Sequence, residues 1–181
     1  MRRRPSTPTG ATSTPGDVDW TVTVTEPLPH CPSVEAAWER LATQTRWQEW
    51  RSESKLRGRG VITKVVAPAT EPLQMGDEYV VQVGRLIKVR CRVVESSPPA
   101  SAGGENLEMV FDATGVALGG IVKARFRFTI FKTEDGIVMA RAEEKMRSLL
   151  FLSPSGTTLE SEHRHTFKEL NKSFFSPPPS S

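Results

Sequence analysis

The sequence predicts an α+β fold: a curled, mostly antiparallel sheet of about seven strands around one long C-terminal helix, with two short helices after the first strand. Three observations predict it. Segments in which apolar and polar residues alternate recur from residue 18 to residue 151, the period of half-buried strands. Only one long stretch, Thr157 to Phe175, repeats its apolar residues at helical spacing. One long helix for so many strands also excludes the strand–helix–strand units of a parallel sheet. Long strands twist, so the sheet must curl, and the closing helix is the natural filler of its concave face.

The chain of 181 residues has room for one domain, expected over 17–175. Residues 1–16 and 176–181, rich in Pro, Ser and Thr, read as disordered tails. The first strand sets Val18, Trp20, Val22 and Val24 against Asp19, Thr21, Thr23 and Thr25. Pro27, Pro29 and Pro32 end it, and Ser33 is an N-cap for a short helix whose apolar face is Val34, Ala37, Trp38 and Leu41. A second helical turn is expected over 45–51, with Trp47 and Trp50 three apart. Two roles stand open for this pair: wedging the short helices onto the sheet, or touching a ligand.

Strands follow over 60–68 and 77–83, separated by the break at 71–76, and then over 85–98 after a turn near Gly84. In the last of these Ile87, Val89, Cys91 and Val93 oppose Lys88, Arg90 and Arg92. A polar loop is expected over 96–105, a strand over 107–113, an apolar connection over 115–120, and a strand over 121–131. There Ala124, Phe126, Phe128 and Ile130 oppose Lys123, Arg125 and Arg127. Glu134, Asp135 and Gly136 turn the chain into a last strand over 137–151. Pro154 and Gly156 break it, and Thr157 with Glu160 fits a capping box for the closing helix. The helix stripe is Leu159, His163, Thr166 with Phe167, Leu170 and Phe174.

Composition narrows the function. The net charge is +3, and Arg2, Arg3 and Arg4 account for all of it; the 24 Lys and Arg less these three equal the 21 Asp and Glu. Such neutrality argues against nucleic-acid binding. The arginine-rich strand faces read instead as a solvated outer face, interleaved with Glu108 and Glu143. No apolar region follows the initial MRRR, and no run of about 18 apolar residues occurs, so neither secretion nor stable membrane insertion is expected. Cys31 and Cys91 read as free thiols of a reducing cytoplasm. His30, His163 and His165 form no zinc motif, and the glycines form no phosphate or dinucleotide loop, so no cofactor is expected.

Three stretches resemble the START-like helix-grip superfamily, also called SRPBCC, and within it the polyketide cyclase/dehydratase and lipid-transport branch. SVEAAWERLATQTRWQEW is similar to its opening helix pair, PLQMGDEYVVQVG to its glycine–acid entry into the third strand, and IVMARAEEKMRS with the terminal helix to its last strand and gripping helix. The resemblance covers residues 18–175 and bears on fold more than on activity. It implies a cavity for a hydrophobic small molecule, such as a polyketide or lipid, between helix and sheet. Two activities stay open under it: cofactor-independent cyclisation or dehydration, or a non-catalytic carrier or sensor. The chain departs from the pattern at its N-terminal tail, at 96–105, and in the apolar run Leu149 to Leu152. That run, with Val116, Ala117 and Leu118, either forms a lip over the cavity or is buried under the helix end.

Candidate chemistry follows from strand parity. If Ala124, Phe126, Phe128 and Ile130 face inward, the more apolar choice for the next strand is Val138, Ala140, Ala142, Glu144 and Met146. Glu144 would then meet the cavity, where burial raises a carboxyl pKa toward that of a general acid or base. His163 projects from the helix stripe toward the same space. Together they could move a proton alpha to a carbonyl, with Tyr79 or Gln82 holding the oxygen. Trp50, Met109, Phe111, Phe126, Phe128 and Phe167 complete the candidate ligand contacts. The plainer alternatives are a rim Glu144 paired with Arg141 or Lys145, and a His163 satisfied by backbone or water. His165 is expected to face solvent.

Overall fold

Alternation written into seven segments becomes seven paired strands. A computed structural model of the chain describes residues 18–50, 62–83, 87–99, 106–117, 120–148 and 156–175. The expected tails, the turn near Gly84 and the run Leu149–Leu152 with Leu118 lie outside these residues, and with them the question of a lip. The strands are β1 (Val18–Pro27), β2 (Ile62–Ala67), β3 (Glu78–Val83), β4 (Ile87–Ser97), β5 (Asn106–Ala117), β6 (Gly120–Lys132) and β7 (Val138–Ser148). They form one antiparallel sheet in the order β1-β7-β6-β5-β4-β3-β2. The helices are α1 (Val34–Ala42), α2 (Trp47–Trp50), which continues a 3₁₀ turn over Gln44–Arg46, and the long α3 (Gly156–Ser173). This is the predicted α+β architecture.

Register fixes which side chains share the concave face. On β6 and β7, Phe126 lies opposite Glu144, Phe128 opposite Ala142 and Ile130 opposite Ala140. β5 continues the same face with Leu107, Met109, Phe111 and Ala113, and β4 with Cys91 and Val93. Across this face α3 lays Leu159, Phe167 and Leu170, all buried. Burying each such side chain contributes about 1.5–3 kcal/mol. The outer face carries charge in pairs. Arg125 donates two hydrogen bonds to Asp112, at 2.6 and 2.8 Å, and holds that carboxyl below its ordinary range. Arg127 lies 3.4 Å from Glu108 and 3.5 Å from Glu143, the interleaving expected of a solvated face.

The short helices are pinned where the sequence placed them. Ser33 Oγ accepts from the Ala36 N–H at 3.2 Å, satisfying one free donor of the first turn of α1. Trp47 and Trp50 are buried, and their indole N–H groups donate to the carbonyls of Leu41 (2.8 Å) and Arg40 (3.3 Å). Of their two open roles, this geometry is the wedge. Cys31 and Cys91 are buried and not joined in a disulfide with each other.

Two local expectations are corrected. The glycine-rich stretch from 115 is not a connection up to its end: β5 runs to Ala117 and β6 begins at Gly120. Gly115 pairs with both Val89 and Val122, and a Cβ there would stand 3.1 Å from Val89 Cγ2, so the glycine serves close strand approach. The start of α3 differs as well. Helix α3 starts at Gly156, which places Thr157 inside its first turn, and Glu160 turns to accept from Arg164 at 2.9 Å.

α3 is fastened along one flank. Arg164 also pairs with Glu26 at the end of β1, and Asn171 Oδ1 accepts from the His30 N–H at 2.9 Å. Near the helix end, the Arg40 guanidinium stands 4.6 Å from the centre of the Phe174 ring.

Candidate functional site

Period two along β7 turns Val138, Ala140, Ala142 and Glu144 to the concave face, and all four are buried. Glu144 is 2% exposed, with Phe126 opposite it on β6 and Val22 opposite it on β1. A carboxylate flanked by such neighbours must find a partner or remain neutral. It finds one in the helix stripe, where His163 Nε2 lies 2.8 Å from Glu144 Oε2. A proton sits between the two, carried on the ring nitrogen or on the carboxyl. The expected alternative of a rim glutamate paired with Arg141 or Lys145 is thereby replaced. Arg141 is exposed and donates to Thr25 at 3.3 Å.

Around this pair runs a line of aromatic rings in edge-to-face contact. His163 meets Phe128 at 6.3 Å between ring centres, Phe128 meets Phe167 at 6.5 Å and Phe111 at 6.0 Å, and Phe111 meets Tyr79 at 6.0 Å. Tyr79 then meets Trp47 at 5.5 Å. Each contact contributes about 0.5–1.5 kcal/mol beyond area burial and fixes ring orientation. The line leads from α2 across β3, β5 and β6 to α3.

The buried polar atoms left unpaired are the informative ones. Glu144 Oε1, Glu162 Oε1 and His165 Nε2 are buried and find no hydrogen-bond partner. Leaving such an atom unpaired costs about 1–3 kcal/mol, so a native structure keeps it for a reason other than stability. Burial pushes the Glu162 carboxyl up to about 7, and the neighbouring charge of Glu144 adds to the rise. Gln44 Nε2 is likewise unpaired, but Gln44 Oε1 accepts from the Ala69 N–H at 2.8 Å, which ties the 3₁₀ turn to the segment after β2.

The structure brings most of the sequence-derived candidates together. Tyr79, Met109, Phe111, Phe128 and Phe167 are buried along the inner face, and Phe126 is half-buried beside Glu144. Gln82 is not with them. It lies three residues from Tyr79 on one strand, hence on the opposite face, paired with Lys88 and Lys64. Trp50 is 1% exposed and belongs to the wedge under α1. His165, expected in solvent, is half-buried with Nε2 enclosed. Sequence reasoning missed Glu162. The signal was partial: Glu162, Thr166 and Glu169 recur at helical spacing along the edge of the apolar stripe, where spacing alone does not decide burial.

Among the described residues no helix is long and apolar enough to cross a membrane, and no cluster of three His, Cys, Asp or Glu is arranged to hold a metal ion. No protein-family model and no curated protein matches the sequence. Solved structures do match it. An uncharacterised protein from Rhizobium leguminosarum superposes with a TM-score of 0.61 at 10% identity, over 88% of this chain and 96% of that one. Ginseng major latex-like protein 151, from Panax ginseng, gives 0.60 at 8% identity, over 89% and 99%. DynU16, a protein of the dynemicin biosynthetic locus, gives 0.54 at 14% identity, over 84% of this chain but 46% of its own. At such identities the likeness speaks for architecture alone, and the architecture is helix-grip: a curled antiparallel sheet closed by its C-terminal helix.

Proposed function

We propose that the protein binds a hydrophobic small molecule, a polyketide, lipid or similar metabolite, between the inner face of the sheet and α3. On that molecule Glu144 and His163 act as a proton-transfer pair in a cofactor-independent cyclisation or dehydration. One observation carries the reading: a buried glutamate hydrogen-bonded to a helix histidine at 2.8 Å, its second oxygen enclosed and unpaired among aromatic rings. Glu144 orients the imidazole, so His163 can take a proton alpha to a ligand carbonyl and return it to a leaving hydroxyl. Of the two expected oxygen holders only Tyr79 lies on the inner face.

The partner in this reading is the small molecule. Nucleic acid is not one, since the outer arginines Arg125 and Arg127 are already paired with acids. Nor is stable membrane insertion part of it. A reducing cytoplasm suits Cys31 and Cys91 as buried free thiols.

The test begins with mass spectrometry of what co-purifies with the full chain, which supplies the substrate. Glu144→Gln and, separately, His163→Ala are then expected to lower turnover by at least ~100-fold while ligand affinity changes little. Product formation unchanged in both variants would remove the catalytic assignment. Tight binding without turnover in the parent protein would leave a carrier.

A further inference from the structure

Two features of α3 point beyond the Glu144–His163 pair. The first is Glu162, whose Oε1 is buried without a partner one residue before His163. The second is the charge acting on it, that of Glu144 on β7, which adds to the rise of its carboxyl. Among the described side chains, the titratable groups beside Glu162 are Glu144 on β7 and, along its own helix, His163 and His165. His163 is committed to Glu144, and Arg164 is turned to the opposite flank, toward Glu26 and Glu160. β7 and α3 therefore each carry a buried carboxyl oxygen with no hydrogen-bond partner, Glu144 Oε1 and Glu162 Oε1.

We propose that Glu162 joins Glu144 as a second carboxyl acceptor of the ligand site, and that the two select a neutral aromatic ligand bearing a ring hydroxyl while rejecting carboxylate ligands. The proposal rests on reading this space as a ligand site. A ring hydroxyl donates to an enclosed carboxylate oxygen and satisfies it, a charge-assisted bond stronger than one between neutral groups. A ligand carboxylate instead adds a further negative charge in a low-dielectric setting, the repulsive element from which specificity is built. The ring itself packs on the edges and faces of Phe128 and Phe167. The discrimination is pH-dependent. Glu162, pushed up to about 7, is ionised at about pH 8 and protonated at about pH 5.5, where it becomes a donor and the penalty on an anion falls.

Two probes with one ring system separate the effects: 2-naphthol and 2-naphthoate, titrated calorimetrically into the full chain at about pH 8 and about pH 5.5. The expected result is tighter binding of 2-naphthol by at least ~10-fold at the higher pH, the ratio shrinking by at least ~3-fold at the lower. In Glu162→Gln the ratio is expected to be the same at both. Equal or tighter binding of 2-naphthoate at about pH 8 overturns the proposal without needing any variant, and so does a pH-dependent ratio that survives in Glu162→Gln. Either result leaves the ligand site standing. Failure of both probes to bind at either pH overturns this proposal, while the ligand site stands or falls with the co-purification test.

Discussion

The two flanks of α3 carry similar residues and meet different surroundings. On one, Glu160, Arg164 and Asn171 are engaged with one another, with Glu26 on β1 and with the backbone at His30. On the other, Glu162 and His165 hold enclosed polar atoms with no partner. Polarity at a helix edge thus serves two ends. Where β1 and the following loop supply acceptors and donors, it seats the helix; where they do not, it leaves buried polar atoms unpaired. The apolar stripe between the flanks supplies most of the holding energy, because exposed ion pairs contribute little.

The largest test of that division falls on the stripe. Leu170→Ala, at a side chain 1% exposed, should lower unfolding free energy by about 2–5 kcal/mol in urea denaturation; a loss well under 1 kcal/mol would mean that the stripe does not hold α3. Next comes the unpartnered flank. The folded state binds the Glu162 proton more tightly than the unfolded chain does, its carboxyl rising from 4.5 to about 7. Stability should therefore fall as pH rises through that window, and Glu162→Gln should remove this slope. At about pH 8 the variant should be the more stable by on the order of 1–2 kcal/mol, discounted for its half-exposed position. A parallel pH profile in variant and parent would place Glu162 in solvent instead. The smallest effect belongs to the fastened flank. Arg164→Ala should cost a little stability in low salt and nothing in high salt, with affinity for the co-purified ligand unchanged. A loss of affinity would show that both flanks serve the site.

Much of this was legible in the sequence because the relevant signals are periodic. Alternation alone placed Glu144 with Ala140 and Ala142 on the inner face, and helical spacing placed His163 with Leu159, Phe167 and Leu170. The same parity, applied to Tyr79 and Gln82, would have separated them. Glu162 and His165 were less accessible, since helical spacing puts both at or beyond the stripe's edge and only tertiary neighbours decide burial there. Gly115 was misread for a related reason. Glycine marks turns in a sequence, whereas here it admits the close approach of Val89 from β4, a long-range contact.

The placement of β1 also has a kinetic consequence. β2 to β7 follow one another as a meander, but β1 pairs with β7, so that Val18 meets Ser148 and Val24 meets Ala142. During synthesis the strand that opposes Val22 to Glu144 and seats Arg164 through Glu26 can dock only after β7, the last strand in the chain, has emerged. Loop closure on that scale slows folding, and during synthesis β1 must wait with an unpaired edge while the remaining strands emerge. The site is accordingly among the last parts of the molecule to form.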